Sequence, residues 1–409
     1  MINRDEFAET IHNIPTPFHY ISHARSVLTK HNFIEISEDK LSDATGNFFV
    51  VRDNRAICAV KMGNTDHAVI LSAHNDSPCF KLKPGCQCST SNGFKQARVA
   101  SYGGLTASTW VDRDLRIAGR AIIKNSDGNG ISEQLFSTNY PVGHIPSLAV
   151  HLSSKSDLAP KFNIENHFNP IIYDSLDEII SKELGVDKSL IVDMEVFFVD
   201  AQKPSFVGTD QSLLCSPRID NLSSAITSLN AFLTAESKYV QILVVFDNEE
   251  VGSATRCGAG SNFLPTVLKS ICDDDYFPKN CIFFSCDTCH AFHPNHPNLT
   301  IDGSPHLGDG PVISYDPILM FSSEMKTCAI VKEIAKNAGI KINQTCDPNN
   351  ARGGMTFGPM VSTPLGMPSI DLGVPVLAMH SIRETCNFDD IQALQKLLIE
   401  IIQNIDNYY

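Results

Sequence analysis

Apolar runs that each close on a cluster of ligand-type side chains organise this chain. His67–Ala73 leads into His74-Asn75-Asp76, and Val240–Phe246 leads into Asp247-Asn248-Glu249-Glu250. Cys281–Cys286 leads into Asp287, and Val374–Met379 into His380. Runs of this length, rich in β-branched and aromatic residues, predict buried strands. A fifth segment, Ser216-Pro-Arg-Ile219, delivers Asp220-Asn221 to the start of a helical period over residues 221–236. In open α/β sheets, function collects just beyond the carboxyl ends of the strands. Two His and several Asp/Glu gathered there suit a metal site of nitrogen and oxygen donors.

The remaining pattern predicts helices over 5–12, 17–32, 262–272, 321–338 and 389–407, the last capped by Asn387 or Asp389. Residues 47–73 read as two or three strands. After Pro78 the texture changes to Gly, Ser and Thr with short strand-like pieces such as Ala118–Ile123. A turn is expected at Asp127-Gly-Asn-Gly, and further strands over 145–152 and 190–200. Beyond about residue 213, strands and helices alternate again. The expected fold is α/β: a mixed central sheet flanked by helices, interrupted by a β-rich insertion. The expected division is 1–82 with 207–409 as one discontinuous domain and 83–206 as the inserted one.

Length and charge narrow the function. A chain of 409 residues, 43% apolar, can bury a large core. A formal net charge of −14 argues against nucleic acid or an anionic membrane as the main partner. The polar N-terminus lacks an apolar signal region, and no run approaches a membrane span, so a cytoplasmic location is expected. The 13 cysteines are odd in number and scattered, which fits reduced thiols.

Each motif has a plain reading beside the chemical one. His74 and Asp76 stand two apart in an extended segment and so share a face. Asp76 can then hold the imidazole in the tautomer that frees its other nitrogen. Glu249 and Glu250 repel each other; at a buried strand end such a pair needs a cation or a shared proton. One of them can then bind metal while the other moves protons. Asp220 also suits a helix N-cap, and His380 a half-buried structural His. Cys286-Asp-Thr-Cys-His290 matches haem-attachment and redox spacings, although Cys86-x-Cys88 is no matching zinc pair. The stretch His290–His296 reads as the rim of a site, and Gly353–Pro359 as a turn that admits close backbone approach to a ligand.

Taken in order, these pieces resemble the aspartyl aminopeptidase family of dinuclear zinc exopeptidases. The resemblance rests on Ala73–Pro78, Tyr102-Gly-Gly104, Thr109-Trp-Val-Asp-Arg-Asp-Leu115 and His144-Ile-Pro-Ser-Leu-Ala-Val-His-Leu152. It continues through Ser216–Leu222, Asp247–Ser253, Ser285-Cys-Asp-Thr-Cys-His-Ala291 with His293-Pro294, Gly353–Pro359 and Met379–Glu384. It implies two zinc ions per subunit, replaceable by Mn or Co, about 3.5–4 Å apart. His74, Asp220 and Asp287 would hold one; Asp220, Glu250 and His380 the other, with Asp220 bridging. Asp76 would orient His74, and Glu249 would be the general base. His151, from the inserted domain, would reach a neighbour's active site. The family's insertion serves dimerisation, and its members assemble as tetrahedral dodecamers that trim peptides.

Three departures surround that core. Leu105 and Ala107 stand where the family carries a third Gly and a Trp, and Val111 where it carries a Phe after Trp110. Residues 297–311 are shorter than the family pattern. Ser314 replaces a Lys associated with acidic substrate side chains. The resemblance therefore implies removal of N-terminal residues, acidic by family default and neutral or broad if Ser314 governs. Lys81, Lys83 or Arg352 are the candidate substitute cations. The competing functions are a deacylase or carboxypeptidase on the same two-metal core, a non-catalytic assembly protein, and a haem or thiol-redox protein built on Cys286 and Cys289.

Overall fold

The computed structural model describes residues 1–63, 67–85, 89–91, 93–125, 129–152, 162–272, 277–299, 303–348 and 354–408. The turn at Asp127, the Cys86-x-Cys88 pair, Arg352 and Gly353 lie outside them. The apolar runs build a nine-stranded mixed sheet. Its order is Ile34–Glu35, Phe48–Arg52, Ala56–Lys61, Val240–Phe246, Ala68–His74, Cys281–Cys286, Ser369–Gly373, Val312–Ser314, Asn343–Thr345. Ala68–His74 lies at its centre, parallel to Val240–Phe246 on one side and to Cys281–Cys286 on the other. All three strands are buried along their whole length. That is why they read as continuous apolar runs rather than alternating ones.

Successive residues of these strands feed opposite layers. Val69, Leu71, Leu243, Val245 and Phe284 pack under the helices Pro17–Lys30, Ile219–Thr234 and Phe388–Asn404. Ile70, Ile242, Val244 and Phe283 pack under Phe263–Ile271 and Gly358–Leu365. The polar edge of the site is thus carried by a sheet clamped on both faces.

A second, antiparallel sheet runs Ser89–Ser91, Phe94–Gln96, Ile171–Ile172, Gly143–His144, Asp114–Lys124, Ile191–Asp200, Cys79–Leu82, Val99–Tyr102, with Ile131–Ser137 paired to Asp114–Lys124. Its apolar side closes over Phe80, Trp110, Phe168 and Phe198. The mixed α/β sheet with helices and the antiparallel β-rich part are the architecture expected from the pattern. A third sheet of five short strands, including Leu213–Ser216 and Glu384–Asn387, was not anticipated. No helix among the described residues is long and apolar enough to cross a membrane.

Two elements differ from expectation. Residues 145–152 form no strand: only Gly143–His144 pairs, and Val150–Leu152 is a 3₁₀ turn. The helix expected from 321 starts at Met325. Neighbours hold the intervening residues: Ser322 donates its N–H to Asp371 at 2.5 Å, and the Ser323 hydroxyl donates to the Ser314 carbonyl at 2.5 Å. The last helix is capped by Asn387, whose side chain accepts from the Asp389 N–H at 2.9 Å.

One cation ties the two large sheets together. Arg55 donates to Asp247 at 2.7 Å, beyond the end of Val240–Phe246, and to Glu195 at 2.5 Å on Ile191–Asp200. Asp247 is fully buried, and burial pushes its carboxyl up to about 7 with Asp76 adding to the shift, even though Arg55 opposes it. Arg55→Met removes the partner of a buried charge, a loss that typically costs about 3–5 kcal/mol. Urea denaturation at fixed protein concentration is expected to show a destabilisation of that size. A loss below about 1 kcal/mol would show that the clamp contributes no more than a surface pair.

Candidate metal centre

Parallel register brings the motif ends to one edge of the sheet. His74 sits opposite Phe246, and Ser72 opposite Ser285, so Asp247–Glu250 and Asp287 emerge beside His74. Asp220 arrives from the third sheet at the start of Ile219–Thr234. Its backbone is not helical, the peptide bond to Asn221 is cis, and the regular helix begins after Asn221. His380 follows the Pro375–Leu377 strand with a left-handed φ of 65°.

Three sets of donors lie with their ligand atoms within 4.8 Å of one another: His74/Asp220/Asp287, Asp220/Glu250/His380 and His74/Glu249/Glu250. Asp220 stands between the two histidines. Its Oδ1 is 3.3 Å from His74 Nε2, and its Oδ2 is 3.3 Å from His380 Nε2. Asp287 Oδ1 lies 3.6 Å from His74 Nε2, and Glu250 Oε2 lies 3.4 Å from His380 Nε2. Asp220 Oδ1 and Glu250 Oε1 are buried without a hydrogen-bond donor, although buried polar atoms are ordinarily paired.

The protonation pattern has one cause. Burial raises Glu249 to about 8 and Asp287 to about 6, and Glu250 well above its usual range; neighbouring carboxylates add to each. Desolvation disfavours charge on both imidazoles, His74 fully buried and His380 half-buried, yet the surrounding carboxylates hold His380 at about 9 and His74 well up. Asp220 is pulled down in turn, against its own burial, by the two imidazoles. Such a concentration of negative charge calls for cations.

Second partners hold each donor. His74 Nδ1 is 3.0 Å from the Asp76 carbonyl oxygen and 3.3 Å from its carboxylate. That carboxylate accepts the N–H groups of Glu249 and Glu250, each at 3.1 Å, and the Tyr102 hydroxyl at 2.8 Å. Asn248 donates to Tyr102 at 2.9 Å. Glu384 is fully buried and accepts the N–H groups of both Asp220, at 2.9 Å, and His380, at 2.8 Å. The Gly104 carbonyl sits 3.2 Å from His380 Nδ1. Gly103, with φ +70°, passes so close that an added Cβ would lie 3.0 Å from that of Glu250. Glu384, Tyr102, Asn248 and Arg55 take no role in the site from sequence alone. The first lies four residues after His380, a spacing that could have marked it.

A cavity of ≈ 290 Å³ opens onto the cluster, lined by His74, Asp220, Glu249, Asp287 and His380. Glu249 lines it while its neighbour Glu250 does not, because the 3₁₀ turn Glu249–Val251 sends adjacent side chains different ways. Ser314 lines it too. Lys81 is tied to Glu195 at 2.5 Å, and Lys83 to Glu165 at 2.6 Å; neither lines the cavity. Of the His-rich stretch only His290 does; His293 and His296 face each other, ring to ring, at 4.8 Å. His151 is exposed on its 3₁₀ turn and does not line this cavity. Cys286 and Cys289 are buried free thiols pushed up by burial, Cys286 to about 12. Burial and raised proton affinity mark structural thiols and weigh against the haem and redox readings.

Comparison with known proteins identifies the family. Residues 10–400 match the family model described as aminopeptidase I zinc metalloprotease (M18). A probable M18 family aminopeptidase 2 of Clostridium acetobutylicum is 32% identical over 425 residues, covering 97% of this chain and 98% of that protein. The crystal structure of yeast aminopeptidase 1 superposes with a TM-score of 0.87 at 27% identity, covering 99% of this chain and 97% of that one. The S. cerevisiae mApe1 dodecamer gives a TM-score of 0.84 at 28% identity, covering 97% and 95%. The chain belongs to the M18 family of zinc metalloaminopeptidases, which are hydrolases.

Proposed function

We propose that this chain removes N-terminal residues from peptides with two zinc ions held by His74, Asp220, Glu250, Asp287 and His380. The observation that carries the reading is the pair of donor sets sharing Asp220, with Asp220 Oδ1 and Glu250 Oε1 left unpaired in the interior. The donor chemistry fits: imidazole nitrogens and carboxylate oxygens are what zinc takes, and Mn or Co would accept the same set. His74 and Asp287 belong to one ion, Glu250 and His380 to the other, and Asp220 to both. Zinc bound there supplies Lewis acidity, polarising the scissile carbonyl and lowering the pKa of a water.

The chain's own residues do the rest. Glu249 faces the cavity, and its elevated proton affinity matches a group that takes a proton from the attacking water and returns it to the leaving amine. Asp76 orients His74 and, through two backbone N–H groups, fixes the turn that separates Glu249 from Glu250. Ser314 lines the cavity and no Lys or Arg does among the described residues, which weighs against the acidic preference of the family default.

Residues 1–82 with 207–409 form the catalytic unit in this reading, and 83–206 the unit of self-association. His151 serves a neighbouring subunit's site: it is exposed, and so are the apolar side chains of Leu148, Val150 and Leu152 around it. Solitary exposed apolar residues are ordinary, but a run of them marks an interface. A relative forms a dodecamer, and the same assembly, in the cytoplasm, is proposed here.

Glu249→Gln removes the proton carrier and leaves an isosteric group. Turnover is expected to fall ~10²–10⁴-fold with zinc content, by elemental analysis, unchanged. Full zinc content with turnover within a few-fold of the parent would contradict the assignment. His151→Phe is expected to lower activity by about tenfold or more without loss of zinc. Co-expressed with Glu249→Gln subunits, it should recover part of the activity in hybrid pairs. Mixed oligomers without recovery would contradict the shared site.

A further inference from the structure

The cavity has a second wall that the metal chemistry does not use. Val312–Ser314 and Asn343–Thr345 run parallel with Ser314 and Thr345 in register, and both residues line the cavity. The chain continues through Cys346 to Asp347, which lines it as well, with Phe321 and Met355 among the same lining residues. Asp347 is half-buried, and no ion pair or hydrogen bond to it is formed by a described residue. Among the described residues, two cations near this wall are engaged elsewhere: Lys341 with Asp309, and Lys332 with Gln344. Among the described residues, four carboxylates line the cavity: Asp220, Glu249, Asp287 and Asp347. The first three are committed to zinc and to proton transfer on the reading above, on which this inference rests. Asp347 is not.

We propose that Asp347 is a specificity-determining residue that selects peptides whose N-terminal side chain is cationic, lysine or arginine. The wall suits such a side chain along its length. Phe321 and Met355 offer apolar contact to a methylene stem, while the charged head reaches Asp347 and the Ser314 and Thr345 hydroxyls. A charge-assisted hydrogen bond in a partly dry pocket is stronger than a neutral one, and an aspartate or glutamate side chain in the same place meets repulsion. Ser314, which removes the cation expected there, and Asp347, which adds an anion, act in the same direction.

The test compares kcat/KM of the zinc-loaded protein on lysyl, arginyl, norleucyl, leucyl, aspartyl and glutamyl p-nitroanilides. Norleucine carries the lysine stem without its ammonium, so the lysyl-to-norleucyl ratio isolates the charge. That ratio is expected to be about 10 to 100, the range such a bond commands, with the acidic substrates slowest. Asp347→Asn should bring the ratio to near unity, and Asp347→Lys should raise the glutamyl-to-norleucyl ratio. A merely structural role for Asp347 would lower all substrates alike and leave the ratios where they were, overturning the proposal. So would a parent ratio at or below unity, or faster cleavage of acidic substrates. Hydrolysis of neutral substrates with ratios indifferent to Asp347 would sink this inference alone. Failure to hydrolyse any free-amine substrate would sink the aminopeptidase reading and this inference with it.

Discussion

Negative charge crowded into a buried place is the constraint on which the rest of the structure depends. Asp220, Glu250 and Asp287 converge on two imidazoles, with Glu249 and Asp76 behind them. In isolation such a cluster opposes folding, because each carboxylate loses water and gains a like-charged neighbour. The raised proton affinities of Glu249, Glu250 and Asp287 express that opposition. On the proposed reading, divalent cations would turn that opposition into binding energy.

That opposition is met by unglamorous contacts. The central strands are buried on both faces, so their carboxyl ends cannot drift. Asp76 gathers two backbone N–H groups and a phenol, and Glu384 gathers two more N–H groups from Asp220 and His380. Burial and the nearby Asp76 raise the Tyr102 phenol, so it stays a donor. Tyr102 and Gly104 follow from the second sheet, and Arg55 joins that sheet to Asp247. The antiparallel sheet is therefore structurally part of the candidate metal centre and not only an appendage to it.

Much of this was legible in the chain because burial leaves a strong sequence signal. Val240–Phe246 and Cys281–Cys286 were read with the bounds they have, since a strand buried on both faces has few polar interruptions. His74, Glu249, Glu250, Asp287 and His380 can be picked out because each follows an apolar run, and Asp220 because it opens a helical period. Their mutual distances depend on parallel register and on Asp220 arriving from another sheet, which no local pattern encodes. The stretch 145–152 misled because its alternation of apolar residues was read as a strand, whereas Leu148, Val150 and Leu152 are exposed. Phe321–Glu324 misled because hydrogen bonds to Asp371 and Ser314 outweigh helical propensity there. Asp347 gave no signal at all: a single acid in a loop is unremarkable until the cavity it lines is seen.

The central claim, that this anionic cluster is completed by two zinc ions, is most directly tested by adding zinc back to chelator-stripped protein. Bound zinc is counted by elemental analysis while the thermal midpoint is followed. A ligand that binds only the native state raises the midpoint. About two zinc ions per chain are expected, with a midpoint that climbs as they bind. Stripped protein that takes up no zinc, or whose midpoint zinc leaves unchanged, would contradict it.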